Sequence, residues 1–393
     1  MTIEFYMKKN NKNVNFCRAS FLLFLAASLF LTSSCEGEKS DADVQTIEID
    51  LGAKENIVNL SDIADDVTFV PLENTGESML GSIDKLMIDD GRYVIVDKEA
   101  AAAVFVFDSK GRFLHKIGRK GKSKSEYIEL TDAALGNGNV YIYDARGKKV
   151  IRYSMDGAYV ESYTVDYDAT AFRHVLGDLF AFYCGYTANL SLSDNGKIPN
   201  LIMYDFKSKE LRKDFMYNES CSYDAMPIEV NNLNPLLYGA LSTGIYDIDG
   251  DGAQIVAKID YGKSYNEELS AFVKDARAGV ADMKEFQTKM QEGAFPMLIN
   301  FMDCGNAYFA FCANKGKLFY NFHYLKSNKV VNAVGEGCVP IKDDMYDCIT
   351  LLPKAAADGF MYADVEPDAV APEIVPDIDE NGNPVIVKIK LKD

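Results

Sequence analysis

The residues with the clearest chemical potential are acidic and lie in a glycine-containing turn. Residues 247–252 read DIDGDG, so Asp247, Asp249 and Asp251 have the spacing that opens a calcium-binding loop. Such a loop normally supplies a bidentate carboxylate at its twelfth position, which here is Lys258. The pattern therefore favours an ordinary hairpin turn, with calcium as a weaker alternative, and the sequence predicts no cofactor.

Residues with catalytic spacing are harder to find. The three histidines, His115, His174 and His323, do not form a metal-binding pair, and no G-x-S-x-G nucleophile elbow is present. The sequence therefore predicts no catalytic residue.

One cysteine near the N-terminus has a different kind of chemistry. A basic segment precedes the apolar run FLLFLAASLFL at 21–31, which is too short to span a bilayer but fits the core of a signal peptide. The run leads into LTSSC, which resembles the lipobox at which bacterial lipoproteins are cleaved and lipidated. We expect residues 1–34 to be a signal peptide, Cys35 to carry the lipid, and 35–44 to be an acidic tether. An ordinary secretory signal is the alternative.

The charge of the chain excludes one class of partner. Its 41 Lys and Arg against 59 Asp and Glu give −18, and removal of 1–34, with four basic residues and one acidic residue, leaves −21. Such a surface repels phosphate backbones, so we expect no nucleic-acid partner.

Six cysteines lie beyond the tether, and their pairing is not determined by the sequence. They show no C-x-x-C spacing, and most lie in apolar stretches such as FAFYC, which favours buried thiols over bridges.

The body of the chain repeats itself. YVIVD (93–97) followed by VFVFDSKGRFL (104–114) recurs about 47 residues later as VYIYD (140–144) and VIRYSMDGAYV (150–160), so Asp97 corresponds to Asp144. Alternating apolar residues with glycine turns predict short antiparallel strands. Looser copies begin near 179, 244, 308 and 359. Six units of this length predict an all-β, six-bladed β-propeller spanning 45–393 as a single domain.

Two other segments complete this architecture. Apolar residues spaced by threes and fours over 265–293 predict a short helical insertion, and its apolar face is expected to pack against the propeller. The alternating runs VTFVPLE (67–73) and NPVIVKIKLKD (383–393) are predicted to share one blade, because a propeller ring must be closed to hide its sheet edges.

These features together carry a resemblance. The lipobox, SDIADDVTFVPLE (61–73) and VFVFDSKGRFLHKIGRKG (104–121) resemble the six-bladed β-propeller lipoproteins of Gram-negative bacteria, which are related to NHL-repeat propellers. The resemblance implies an outer-membrane location and makes IGRKGKSKSEY (117–127) a crossover between blades. Here KSKS stands where that family has Gly-Pro-Gly, and the lysines are expected to form a solvated rim.

The mouth of the central channel is the natural binding site of a propeller. Asp84, Asp132 and Asp344 are expected near the starts of three innermost strands, as ligand-binding residues or as strand caps. The favoured function is a non-catalytic binding or scaffold module at the cell envelope, expected to be a monomer, that recognises protein or glycan through a propeller face. The alternatives are a propeller lyase or hydrolase with acids at the channel, and a purely structural lipoprotein.

Overall fold

The computed structural model describes residues 44–393 apart from 185–188, 194–197, 219–231, 234–235, 239–242, 278–287 and 290–291. The signal peptide, Cys35 and most of the tether therefore lie outside the described residues, as does Cys221. No helix in the described part of the chain has the length and apolar content needed to cross a membrane.

Six sheets arranged as blades form the molecule, and the predicted all-β, six-bladed propeller is confirmed. The strands of blades 1 to 3 are β4 (Lys85–Asp89), β5 (Arg92–Asp97), β6 (Ala103–Phe107), β7 (Phe113–Ile117); β8 (Asp132–Gly136), β9 (Asn139–Asp144), β10 (Lys149–Ser154), β11 (Tyr159–Thr164); and β12 (Ala171–Leu176), β13 (Leu179–Tyr183), β14 (Ile198–Asp205), β15 (Leu211–Asn218).

Blades 4 to 6 are less regular. Their strands are β16 (Asn232–Leu233), β17 (Leu237–Tyr238), β18 (Gly244–Asp249), β19 (Gly252–Asp260), β1 (Gln45–Glu48); β20 (Met297–Asp303), β21 (Ala307–Asn314), β22 (Lys317–Tyr324), β23 (Val330–Glu336); and β25 (Ala355–Ala357), β26 (Phe360–Val365), β27 (Val385–Leu391), β3 (Ala64–Pro71). A two-stranded ribbon, β2 (Val58–Asn59) with β24 (Ile341–Lys342), lies outside the blades.

The N-terminal segment closes the ring over more than one blade. β3 pairs antiparallel with the C-terminal β27, so the predicted closing blade is confirmed. In addition, β1 pairs parallel with β19 on the edge of blade 4, and Ile47 is fully buried there. Short helix α1 (Leu60–Ile63) follows β2, while α2 (Lys263–Arg277) follows blade 4.

Packing between the blades explains why the strands are so apolar. Each of the six blade interfaces contains its own cluster of buried side chains. Between blades 1 and 2, for example, Val94 and Val106 pack with Ile142, and all three are fully buried. Both faces of a blade are therefore covered, and runs such as YVIVD and VYIYD are apolar at nearly every position.

The predicted helical insertion is present over Lys263–Arg277, and most of the rest of 265–293 lies outside the described residues. Leu269 is buried and Phe272 contacts the same apolar cluster between blades 4 and 5, which agrees with the packing role predicted for this stripe.

The two faces of the propeller differ in their connections. On one, the hairpin face, strands are joined by two to five residues, as at 90–91, 108–112, 137–138, 155–158, 177–178, 206–210, 304–306, 325–329 and 358–359. Asp90–Gly91 and Asn137–Gly138 have positive φ at both positions, which is the geometry of tight two-residue hairpins. The opposite, loop face carries the longer connections 72–84, 118–131, 261–296, 337–354 and 366–384.

Candidate functional site

Polar contacts between neighbouring blades surround the channel, most of them at its loop-face end, and we name this set the channel ring. Lys85 starts β4 of blade 1, and its Nζ lies 3.0 Å and 3.2 Å from the two carboxylate oxygens of Asp132 in blade 2. The same Nζ donates to the carbonyl of Ala133 at 2.7 Å. Asp132 Oδ2 in turn accepts the backbone N–H of Phe172, in blade 3, at 3.0 Å. Two blade interfaces are thus joined through one carboxylate.

The ring continues from blade 3 to blade 5. Arg173 Nη1 lies 3.2 Å from Asp247 Oδ1, and its Nη2 donates to the carbonyl of Ile248 at 3.0 Å. Both partners belong to β18 of blade 4. From the same blade, Tyr238 Oη donates to Asn300 Oδ1 of blade 5 at 3.1 Å. The Arg173 guanidinium and the Tyr238 phenol therefore connect these blades, as Lys85 and Asp132 connect blades 1, 2 and 3.

The remaining two contacts close the circle. Asn300 Nδ2 donates to the carbonyl of Pro353, just before β25 of blade 6, at 2.9 Å. The next residue, Lys354, donates from Nζ to the carbonyl of Ile83, just before β4, at 3.4 Å. Each of the six neighbouring blade pairs is therefore joined by at least one polar contact near the channel.

Burial gives the ring its electrostatic character. Asp132 is 2% exposed. Burial lowers the pKa of Lys85, and the attraction of Asp132 opposes that shift without cancelling it. Lys98 adds a second, longer ion pair to Asp132 at 3.8 Å. A buried carboxylate with an ammonium and a backbone N–H as partners is a satisfied structural group.

The structure brings together two of the three predicted mouth residues. Asp84 immediately precedes Lys85, and its Oδ2 accepts the backbone N–H of Lys98 at 2.6 Å. Lys98 therefore contacts Asp84 through its backbone and Asp132 through its side chain.

Asp344 lies elsewhere, which corrects its predicted position. It accepts hydrogen bonds from the backbone N–H and the hydroxyl of Ser61 in α1, at 2.9 Å and 2.5 Å. The inner strand β25 begins only at Ala355, because the 337–354 connection first pairs with the N-terminal segment through β24. The sequence contains no signal for that detour.

The acidic turn at 247–252 forms the hairpin between β18 and β19. Asp249 Oδ1 accepts the backbone N–H groups of Asp251 and Gly252 at 2.8 Å and 3.0 Å, and Asp247 pairs with Arg173. Within the described ranges, no group of three or more His, Cys, Asp and Glu side chains could hold a metal ion. These contacts support an ordinary hairpin turn at 247–252.

Two further carboxylates occupy equivalent positions of the sequence repeat, and the repeat alone did not indicate a role for them. We name them the loop staples. Asp97 and Asp144 end the second strands of blades 1 and 2 and are fully buried. Asp144 accepts backbone N–H groups from Ile128, Glu129 and Gly147 at 2.8, 3.2 and 2.7 Å.

Asp97 does the same in blade 1. It accepts N–H groups from Gly81 at 2.7 Å and from Ala100 and Ala101 at 3.0 Å each. Each staple therefore fixes a loop-face connection to the blade that follows it.

The basic stretch 117–127 is the predicted crossover, since it joins β7 of blade 1 to β8 of blade 2. Arg119 pairs with Glu126 at 2.8 Å, and the buried Tyr127 donates its hydroxyl to the carbonyl of Ala102. The lysines at 120, 122 and 124 are exposed, as expected of a solvated rim.

Five cysteines fall in the described part of the chain, and no two of them form a disulfide bond. Cys184, Cys304 and Cys312 are buried, in agreement with their prediction as small apolar residues, whereas Cys338 is exposed and Cys348 half-buried.

Comparison with known proteins places the chain in a family. Residues 44–390 match the sequence pattern of the family described as Domain of unknown function (DUF4934). No curated protein matches the chain. A protein of Bacteroides fragilis that is described as exported is similar in structure, with a TM-score of 0.65 and 12% identity over 89% of this chain and 100% of its own.

Two other solved structures are less similar. A member of the duf4221 family from Bacteroides vulgatus has a TM-score of 0.46 and 11% identity, over 86% of this chain and 99% of its own. Streptogramin B lyase has a TM-score of 0.39 and 8% identity, over 83% and 98%. At 12% identity, the likeness to the Bacteroides fragilis protein shows the propeller fold alone.

Proposed function

The chain belongs to the DUF4934 family, and we propose that it is a non-catalytic binding protein, anchored by lipid at the cell envelope, that recognises its partner through the loop face. The observation that carries this proposal is the asymmetry of the two faces. The hairpin face has turns of two to five residues, whereas the loop face displays, besides short turns such as 315–316, connections of 13 to 36 residues, including α2. Long loops on a rigid scaffold are where binding residues concentrate.

The contacts of the channel ring favour binding over catalysis. A channel acid would need a carboxylate placed to exchange protons with a substrate, but Asp132 is already engaged by Lys85 and the Phe172 N–H. The alternative of a propeller lyase or hydrolase predicts turnover on polysaccharides that Asp84→Asn or Asp132→Asn abolishes. A purely structural lipoprotein predicts no ligand that raises the melting temperature.

The exposed side chains of the loop face favour a protein partner over a glycan. Met79 is 60% exposed and Leu352 45% exposed, and both lie on loop-face connections together with the exposed Ile128. Flexible apolar side chains suit protein surfaces, whereas sugars are usually held by stacking on exposed aromatic rings.

A binding experiment that compares the two faces tests this proposal. The immobilised chain is incubated with detergent-solubilised envelope, and bound material is compared for wild type, Met79→Asp/Leu352→Asp, and Leu176→Asp. Leu176 is 54% exposed next to a hairpin-face turn and serves as the matched control. We expect the double variant to lose the partner and the control to keep it.

Pretreatment of the envelope extract distinguishes the two kinds of partner. Protease should abolish the binding of a protein, whereas periodate should abolish the binding of a glycan. Equal retention by both variants would exclude the loop face as the binding surface.

The anchor rests on the N-terminal pattern and is tested separately. A lipobox cysteine receives at least two acyl chains, and two chains give stable attachment where one gives only marginal binding. The similar Bacteroides fragilis protein is described as exported, which supports an envelope location. We expect an outer-membrane attachment that survives a high-salt wash and that Cys35→Ala abolishes, with release into the soluble fraction. Retention of that variant in the membrane would contradict the lipobox.

A further inference from the structure

The crossover from blade 1 to blade 2 leaves three ammonium groups open. Residues 117–127 carry four basic residues and one acidic residue, on a chain of net charge −18. The acidic residue, Glu126, is engaged inside the crossover, since it pairs with Arg119 at 2.8 Å and accepts the backbone N–H of Ser123 at 3.0 Å. The remaining basic side chains are exposed and have no side-chain partner among the described residues: Lys120, Lys122 and Lys124.

Contacts with blade 2 hold the crossover in one shape. Lys149 Nζ donates to the carbonyl of Ser123 at 2.9 Å, and Tyr153 Oη donates to the carbonyl of Ser125 at 2.7 Å. Lys124 lies between these two points. Because the backbone under the lysines is already fixed, binding an anion orders little besides the lysine side chains, and the entropy cost is small.

Exposed apolar side chains lie beside the lysines. The Tyr159 ring packs edge-on against Tyr153, the residue that bonds the crossover, with centroids 6.4 Å apart. Lys120 forms a parallel bridge with Tyr127, which brings the next residue, Ile128, close to it. Tyr159 is 40% exposed and Ile128 38% exposed. We name this surface the lysine patch; its members are Lys120, Lys122, Lys124, Ile128 and Tyr159.

The charge of the rest of the chain limits which anion suits the lysine patch. All of the negative excess lies outside the crossover. A broad anionic surface, such as a bilayer of acidic lipids, or a long polyanion would be repelled by that body as well as attracted by the lysines. A short acidic segment of a protein meets the patch alone, and its apolar side chains can pack on Ile128 and Tyr159.

We propose that the lysine patch binds a short acidic segment of a partner protein, with carboxylates at the lysines and apolar side chains on Ile128 and Tyr159. This inference rests on the proposed loop-face binding function, because the crossover is one of the loop-face connections. It adds the chemistry of the partner, which the exposed Met79 and Leu352 leave undefined.

Titration with a fluorescent peptide tests this proposal. The probes are a peptide of repeating Glu-Glu-Leu triplets and its neutral counterpart of Gln-Gln-Leu triplets, each followed by fluorescence anisotropy. We expect the acidic peptide to bind at least tenfold more tightly than the neutral one and to weaken as the salt concentration rises, because exposed charges are screened. Equal affinities, or no binding of the acidic peptide at millimolar concentration, would overturn the proposal.

A charge variant and a matched control locate the binding. The test variant replaces the three lysines of the patch: Lys120→Gln/Lys122→Gln/Lys124→Gln. It should bind the acidic peptide about tenfold more weakly, since each exposed ion pair contributes about a factor of two. The control removes the same charge from exposed hairpin-face turns: Lys207→Gln/Lys209→Gln/Lys326→Gln. It should bind as wild type does, and equal affinities of the two variants would contradict the assignment to the patch.

Other occupants of the patch are outcomes of the same comparison. Wild type and the test variant are assayed with phosphatidylglycerol vesicles and with dextran sulfate, and their self-association is measured by sedimentation. Lysine-dependent binding to vesicles or dextran sulfate that is tighter than binding to the acidic peptide would assign the patch to a lipid or a glycan. Self-association that the test variant loses would assign it to a second copy of the chain. Each of these results would overturn the proposal.

The envelope experiment separates this inference from the loop-face function. If Met79→Asp/Leu352→Asp loses a partner that the lysine variant retains in full, the loop face binds that partner and the inference about the lysine patch is wrong. If wild type retains no partner, the loop-face function is contradicted, and the peptide titration alone decides the inference.

Discussion

Buried carboxylates are satisfied in two different ways in this propeller. In the loop staples, Asp97 and Asp144 accept only backbone N–H groups. In the channel ring, Asp132 accepts one backbone N–H but is otherwise paired with lysine. Each staple joins its blade to the connection that precedes it, 15 or 16 residues earlier in the chain, whereas Lys85 and Asp132 are 47 residues apart in different blades.

This difference determines how much the residues of a loop staple or of a channel-ring contact can change from one blade to the next. A staple depends on one side chain and on backbone N–H groups at fixed spacings from it, so nearly the same contacts recur in blades 1 and 2. A ring contact needs two matched partners, so its chemistry changes from ammonium to guanidinium, phenol and amide around the channel. Four variants should separate the two devices, and they are ordered here by expected effect.

Asp144→Ala should have the largest effect. It leaves three backbone N–H groups without their acceptor, and we expect a loss of about 4 kcal/mol in the free energy of unfolding. Urea denaturation measures it, with the exposed Asp166→Ala as the control, for which the midpoint should not move. A loss below about 1 kcal/mol would mean that water replaces the carboxylate.

Lys85→Met should cost about 3 kcal/mol, because Asp132 is then buried with only the distant Lys98 as a cationic partner. The double variant Lys85→Met/Asp132→Asn should recover part of this loss, since the uncompensated charge is removed. If the double variant is as unstable as the sum of the two single variants, the pair is not coupled and the ring has no electrostatic role.

Tyr238→Phe should lower the free energy of unfolding by about 1 kcal/mol, because it removes a neutral hydrogen bond to Asn300 and keeps the aromatic side chain. Tyr159→Phe, at an exposed position on blade 2, provides the comparison and should leave stability unchanged. An equal effect of the two changes would show that the contact between blades 4 and 5 contributes nothing.

The smallest effect should appear as a pH dependence at Asp343, which resembles the staples. Burial raises the pKa of its carboxyl, but hydrogen bonds from Ile349, Tyr346, Cys348 and Met345 outweigh burial and leave the pKa below 3.8. Because the folded pKa lies below the unfolded one, this carboxylate stabilises the fold above about pH 4. That stability is lost as the pH falls through the folded value.

Asp343→Asn should therefore make the unfolding free energy less dependent on pH between about 5 and 3. Melting curves measured across this range for both proteins test the point. An unchanged slope would assign the acid sensitivity to other carboxyl groups.

Much of the fold was predictable because it is local and periodic. The recurrence of YVIVD as VYIYD located β5 and β9, and the alternating run at 383–393 located β27. Closure by the two chain ends followed from the need to cover sheet edges. The parallel addition of β1 to blade 4 was missed, because four residues with one buried isoleucine carry too weak a pattern.

The site was predictable only in part. Asp84 and Asp132 stand next to strand starts that the repeat marks, so their place at the channel followed from the period. Asp344 was misplaced because a long connection has no period from which to count. Lys85, Arg173 and Asn300 were not identified, because an isolated polar residue in a strand does not reveal which blade it contacts.

The sequence by itself determined the number of blades, the turns and the candidate export signal, because each depends on residues close together in the chain. Only the tertiary structure decided how the polar groups pair around the channel. Those contacts join residues far apart in the chain, since Lys354 and Ile83 are separated by 271 positions, and a contact of that kind exists only once the ring has closed.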